Sequence, residues 1–180
     1  SEAVQDRVAE RALDLGFIEG ESHLPSLVTD VVCDDELQVV CAPTHPLAKL
    51  KSVTPKGLTE HGYISREPGS GTREVIDHYL QKAGVLPDTM QVVMELGSPE
   101  ALKGLVATGL GFAIMSRATV VKETQLGQLV QIPLSPRLNR HLAVVYPKER
   151  FHSRLVSGFV QFAKERVAAL QSASAVRPAA

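Results

Sequence analysis

Gly62-Tyr63-Ile64-Ser65-Arg66-Glu67-Pro68-Gly69-Ser70-Gly71-Thr72-Arg73 is the stretch whose reading decides the fold. An apolar strand runs into a tight turn, and the turn opens a helix. The glycines at 69 and 71 let the backbone take positive φ and come close to a bound group. Ser70 and Thr72 add hydroxyls. A helix start carries free N–H groups and a partial positive charge. Together these features make a cradle for a small anion. The same residues also fit an ordinary capped helix preceded by a turn.

Working outward, helix and strand alternate along the chain. Downstream, Val75, Ile76, Tyr79, Leu80 and Ala83 form one apolar helix face, and Gly84 stops that helix. Gln91 to Leu96 reads as a strand. Gly97-Ser98-Pro99-Glu100 opens a second helix with a hydroxyl cap, then proline, then an acid. Gly109 closes it, and Gly111 to Met115 is a continuous apolar strand of the kind covered on both faces. Ser116 caps a short helix to about Glu123. Leu129 to Leu134 and His141 to Tyr146 are strands. Leu155, Phe159, Phe162, Ala163, Val167 and Leu170 mark a last amphipathic helix.

Upstream, Val4, Val8 and Ala12 predict a helix over 2–12, and 13–19 a strand. Leu27 to Val32 and Glu36 to Ala42 read as two strands about a turn at Asp34-Asp35. Thr54-Pro55 starts a helix ending near Gly62. Residues 171–180, rich in Ser, Ala and Pro, are expected to be disordered. The pattern is α/β, with parallel strands joined by right-handed crossovers. Ligands of such sheets sit beyond the carboxyl ends of strands, where the helices at Ser70-Gly71-Thr72 and Gly97-Ser98 begin.

The 180 residues carry a formal net charge of −1 and are 44% hydrophobic, an ordinary globular composition. Near-neutral charge argues against nucleic-acid binding by this segment alone. No apolar run reaches the roughly 20 residues that span a bilayer, so no membrane partner is expected. No leader is visible; the chain starts with Ser1 inside a helical pattern and reads as a fragment. Cys33 and Cys41 lie in apolar runs with no CxxC spacing, which suits buried thiols and a reducing cytoplasm. The six histidines form no HxxxH or HxH pair, so neither a metal nor another cofactor is expected.

Catalysis is not expected. There is no Gly-x-Ser-x-Gly elbow, and Thr72-Arg73 stand where a P-loop would need Lys after its glycine. Arg73 can reach an anion or point to solvent from the first turn. Lys103, one turn into the second helix, reads as solvated. Glu67 and Glu95 would repel an anion.

Several segments resemble one family in order and spacing. They are Asp14-Leu15-Gly16-Phe17-Ile18, Asp35-Glu36-Leu37-Gln38-Val39-Val40, His45-Pro46-Leu47-Ala48, Arg66-Glu67-Pro68-Gly69-Ser70-Gly71-Thr72-Arg73, and Gly109-Leu110-Gly111-Phe112-Ala113-Ile114-Met115. Over about residues 1–168 the chain resembles the effector-binding domain of LysR-type transcriptional regulators. The resemblance implies two Rossmann-like lobes joined by two crossover strands, like a type 2 periplasmic binding protein, truncated at the N-terminus. The crossovers would be Glu36 to Ala42 and Arg140 to Tyr146. One lobe would be 1–42 plus 139–170, the other 43–138.

The resemblance further implies a small-molecule effector in the inter-lobe cleft. Its contacts would be Gly69, Ser70, Gly71, Thr72, Arg73, Gly97, Ser98 and Met115, with Ile18 from the first lobe. Candidate effectors are sulfate or sulfite, a phosphorylated metabolite, or a small carboxylate. The domain would form homodimers, and tetramers at full length, with DNA bound through a winged helix-turn-helix that this segment lacks. The first strand and helix of the first lobe are also lacking, which predicts poor solubility for the fragment. A periplasmic or extracellular solute-binding protein for a small anion is the alternative, since it shares the fold.

Overall fold

A computed structural model of the chain describes residues 2–149 and 153–175, with side chains through 170. In chain order the elements are α1 (Glu2–Ala9), β1 (Gly16–Glu19), β2 (Leu27–Cys41), α2 (Pro55–Leu58), β3 (Gly62–Arg66), α3 (Gly71–Lys82) and β4 (Gln91–Leu96). There follow α4 (Pro99–Ala107), β5 (Ala113–Ser116), α5 (Val121–Gln125), β6 (Val130–Ile132), β7 (Leu138–Pro147) and α6 (Arg154–Ala175). The chain divides into two units, Ser1–Asp34 with His141–Ala180, and Asp35–Arg140. It passes from one to the other within β2 and returns within β7.

In the Asp35–Arg140 unit, strand pairing follows from which connections are helices. β3 and β4, joined by α3, are parallel, with Gly62 opposite Gln91 and Arg66 opposite Leu96. α4 then returns the chain beside β3, where Ile64 N–H donates to Phe112 O at 2.8 Å and Phe112 N–H to Gly62 O at 2.9 Å. β2 lies between β5 and β6 and is antiparallel to both. Parallel pairing therefore holds across the β3–α3–β4 unit, as expected for strand–helix–strand units, while β2 runs antiparallel to β5 and β6.

Successive residues in these strands fall into different cores. Val39, Tyr63, Phe112 and Ile114 pack with Ile76, Tyr79 and Leu80 of α3. Val40, Ile64, Ala113 and Met115 pack with Leu102 and Val106 of α4. Side chains alternate across a strand, so the sheet is covered on both faces. The Gly109-Leu110-Gly111-Phe112 segment has a mechanical reason. Gly109 takes φ +83 just past α4. A Cβ on Gly111 would stand 2.3 Å from the Gly62 carbonyl oxygen. Gly84, at φ +74, ends α3 with paired bonds, Gly84 N–H to Gln81 O and Val85 N–H to Leu80 O.

In the other unit, β1 and β7 are antiparallel, with Phe17 opposite Val144. Val8, Ile18, Leu27, Ala143 and Val145 form its core. Asp30 accepts from the Tyr146 hydroxyl at 2.7 Å and pairs with Lys164 of α6 at 3.1 Å. The Tyr146 bond is the largest cause holding the Asp30 carboxyl below its ordinary range.

Several expectations are corrected. α1 ends at Ala9 rather than 12, because Arg11 takes φ +61 and the N–H groups of Ala12 and Leu13 turn back to Arg7 O. Asp34-Asp35 is no turn; β2 runs through both, and Asp35 is held by partners from distant strands. α6 continues to Ala175, so residues 171–175 are helical rather than disordered, while 176–180 lie outside the described residues. Its buried contacts come from Val160 and Ala163; Leu155, Phe159, Phe162 and Leu170 of the predicted apolar stripe are exposed. Among the described residues, no helix is long and apolar enough to cross a membrane.

Candidate functional site

Because β3 and β4 are parallel neighbours in register to their last residues, the turns after them leave the same edge of the sheet. α3 and α4 start there. α4 is capped conventionally: Ser98 Oγ accepts from Ala101 N–H at 3.3 Å, and Pro99 follows. Ser98 and Gly97 are both exposed.

α3 starts differently. Gly69 takes φ +79, while Gly71 is its first helical residue and needs no positive φ. Ser70 occupies the cap position, yet its side chain makes no capping bond. Ser70 is 5% exposed, and its Oγ is buried with no hydrogen-bond partner. Such an unsatisfied buried hydroxyl costs about 1–3 kcal/mol.

Thr72 is 5% exposed and already engaged. Its Oγ1 accepts from Arg140 Nη1 at 2.8 Å. Arg140 Nε donates to Asp35 Oδ2 at 2.8 Å, and Asp35 Oδ1 accepts from the Ser116 hydroxyl at 2.6 Å. Ser116 in turn accepts from Ala118 N–H at 3.2 Å. The side chains of Arg140 and Asp35 are 6% and 8% exposed. A buried, hydrogen-bonded ion pair thus sits on the first turn of α3. The arginine lies against the positive end of the helix, an unfavourable place for a cation that the Asp35 carboxylate offsets.

The neighbouring charges are likewise paired. Arg66 holds Glu67 through two bonds, at 2.8 and 2.9 Å, and reaches Gly97 O at 3.4 Å. Its guanidinium is the main cause keeping the Glu67 carboxyl below its ordinary range. Arg73 donates to Glu95 at 2.5 Å and to Arg66 O at 3.0 Å, and Asp77 lies 3.6 Å from its Nε. Burial raises the Asp77 carboxyl. Arg73 is thus paired within the protein.

Of the residues named from sequence, Gly69, Ser70, Gly71 and Thr72 share the α3 turn, and Gly97 and Ser98 lie at the same sheet edge. Met115 is buried with Val40 and Leu102, and Ile18 is buried in the core of the other unit. Lys103 is buried, not solvated: it pairs with Glu123 at 2.8 Å and Glu100 at 2.9 Å. Sequence reasoning missed Arg140 and Asp35 as site residues. Asp35 lies 105 positions from Arg140, and Thr72 lies 68 from it, so no spacing joins them. The signal open to inspection was weak: Arg140 precedes the apolar run of β7, and Asp35 is one of four acids within β2.

The profile of the LysR substrate binding domain matches residues 1–168. The chain belongs to the LysR substrate-binding domain family. HTH-type transcriptional regulator YeiE of Escherichia coli is 38% identical over 164 residues, covering 90% of this chain and 54% of YeiE. The RuBisCO operon transcriptional regulator of Acidithiobacillus ferrooxidans is 32% identical over 162 residues, covering 89% of this chain and 52% of that protein. The chain spans about half the length of these curated relatives. Among solved structures, the CcmR regulatory domain of Synechocystis PCC6803 in complex with 2-PG is similar at 25% identity and a TM-score of 0.81. It covers 92% of this chain and 79% of that one. That fold agrees with the periplasmic-binding-protein-like expectation.

Proposed function

We propose that this LysR-family domain senses a small effector through the turn at the start of α3. The observation that carries the reading is Ser70: a cap residue whose buried hydroxyl has no hydrogen-bond partner and makes no capping bond, at a helix start, where the first N–H groups have no acceptor within the helix itself. An incoming oxygen would satisfy those N–H groups and the Ser70 hydroxyl together. Thr72 and the guanidinium on it would rearrange around the guest. Gly69 and Gly71 let the guest approach the backbone, and Gly97 and Ser98 flank it at the same sheet edge. No reacting group is invoked; the domain binds and relays.

The effector is a small molecule with an oxyanion or carboxylate end. The 2-PG of the CcmR domain has that character, and the similarity to transcriptional regulators supports a regulatory role. The effector acts by binding one arrangement of the protein better than another, since equal affinity for both shifts nothing. The full-length protein is proposed to work in the cytoplasm as a homodimer or tetramer, and to bind DNA through a separate domain.

Calorimetry on the full-length protein tests the site, with acetate, sulfate and 2-PG as probes. Combined Ser70→Ala and Thr72→Ala is expected to weaken any bound probe at least tenfold with circular dichroism unchanged. Equal affinity in the variant would remove this turn from the reading.

A further inference from the structure

Three arginines lie at or beside the α3 turn, and each is matched by a carboxylate. Arg66 pairs with Glu67, Arg73 with Glu95 and Asp77, and Arg140 with Asp35. These side chains together hold three cations and four carboxylates. Arg73 belongs to the first turn of α3, and the Asp35–Arg140 pair joins the same turn through Thr72. The Asp35–Arg140 pair is the most buried, so solvent and salt screen it least.

We infer that Asp35, through Arg140, sets the ligand charge this turn accepts. With Asp35 ionised, the guanidinium on Thr72 is neutralised, and an arriving group meets no uncompensated side-chain cation. What remains attractive is short-ranged: helix N–H groups, a partial positive charge and the Ser70 hydroxyl. That set suits a singly charged or hydroxyl-bearing group. A dianion gains little from a neutralised arginine and is repelled by the surplus carboxylate. Arg140 is held in place on both sides, by Thr72 at 2.8 Å and Asp35 at 2.8 Å, so an anion must compete with Asp35 for it. The Ser116 hydroxyl, at 2.6 Å, fixes the competing carboxylate. Asp35 is thus a specificity-determining residue that acts through Arg140.

This inference rests on the effector site proposed above, and the test separates the two. The probes are methanesulfonate and sulfate, which share a tetrahedral sulfonyl group and differ in charge. Titration calorimetry on the full-length protein is expected to show the wild type binding methanesulfonate at least as tightly as sulfate. Asp35→Asn keeps the shape of the side chain and removes its charge; its amide oxygen can still accept from Arg140 Nε, while its NH2 group would donate to Ser116 Oγ in place of the bond it now accepts. Coulomb energy scales with ligand charge, so a gain of n-fold for methanesulfonate implies roughly n-squared-fold for sulfate, and the preference shifts roughly n-fold towards sulfate.

Sulfate binding tenfold more tightly than methanesulfonate in the wild type would overturn the inference and leave the effector site standing. So would equal gains for both probes in Asp35→Asn. The wild-type comparison decides the matter even where the variant fails to fold. Binding of neither probe to either protein would overturn the inference and count against the site.

Discussion

Gly111→Ala puts one methyl group where the fold has no room. Its ideal Cβ would stand 2.3 Å from Gly62 O and 2.9 Å from Gly62 C. Carbon–oxygen contact needs about 3.3 Å, so the two segments must separate by roughly 1 Å. Neither neighbour is a flexible side chain. Both are backbone of β3, and that backbone is bonded to Phe112 at 2.8 and 2.9 Å. Separation on this scale carries those bonds past useful length. Losing one or two costs about 0.5–1.5 kcal/mol each, and overpacking adds about 1–3 kcal/mol. Gly111→Ala is therefore expected to destabilise by about 1.5–6 kcal/mol, read by urea unfolding followed by circular dichroism. Gly109→Ala is the control. There the added Cβ meets only Thr44 Oγ1 at 3.8 Å, and the cost is the positive φ alone, about 1–2 kcal/mol. A Gly111→Ala protein no less stable than Gly109→Ala would refute the close-approach argument.

Lys103→Met removes the cation from Glu123, whose Oε2 is buried with no hydrogen-bond partner; a loss of about 1–3 kcal/mol is expected. Adding Glu123→Leu should recover most of it by removing the stranded carboxylate, and a double variant no better than the single one would argue against the pair. Burial, and secondarily His61, hold the His45 imidazole below its ordinary 6.5. The native state therefore takes up a proton later than the unfolded chain. The stability that neutral His45 contributes is intact above about pH 6.5 and falls as pH drops from there through the lower native value. His45→Asn keeps an acceptor for the Leu47 N–H and removes the titration, so its urea midpoint should fall less between pH 7 and pH 5 than the wild type's; parallel curves would refute this.

Local chemistry was legible wherever a few neighbouring residues decide the outcome. Thr54 and Ser98 cap their helices with proline at the next position, and Gly84 and Gly109 take positive φ where the apolar periodicity stops. The continuous apolar run into Met115 was rightly read as a strand covered on both faces. Of the candidate site, the turn lies within one short segment and was open to sequence reading; the unpartnered Ser70 hydroxyl and the ion pair on Thr72 were not.

By itself the sequence determined the alternation of helices and strands, the glycine stops after α3 and α4, and the family, because capping, φ preference and periodicity act over a few residues. Tertiary structure decided which charges meet. Asp34-Asp35 looked like a turn because isolated acids favour turns. Inside β2, Asp35 is extended because Arg140 and Ser116, both far away in sequence, supply the partners a buried carboxylate requires. Lys103 looked solvated until Glu123 was brought to it. A buried charge is stable only where its counter-charge arrives, and that arrival is a property of the folded chain.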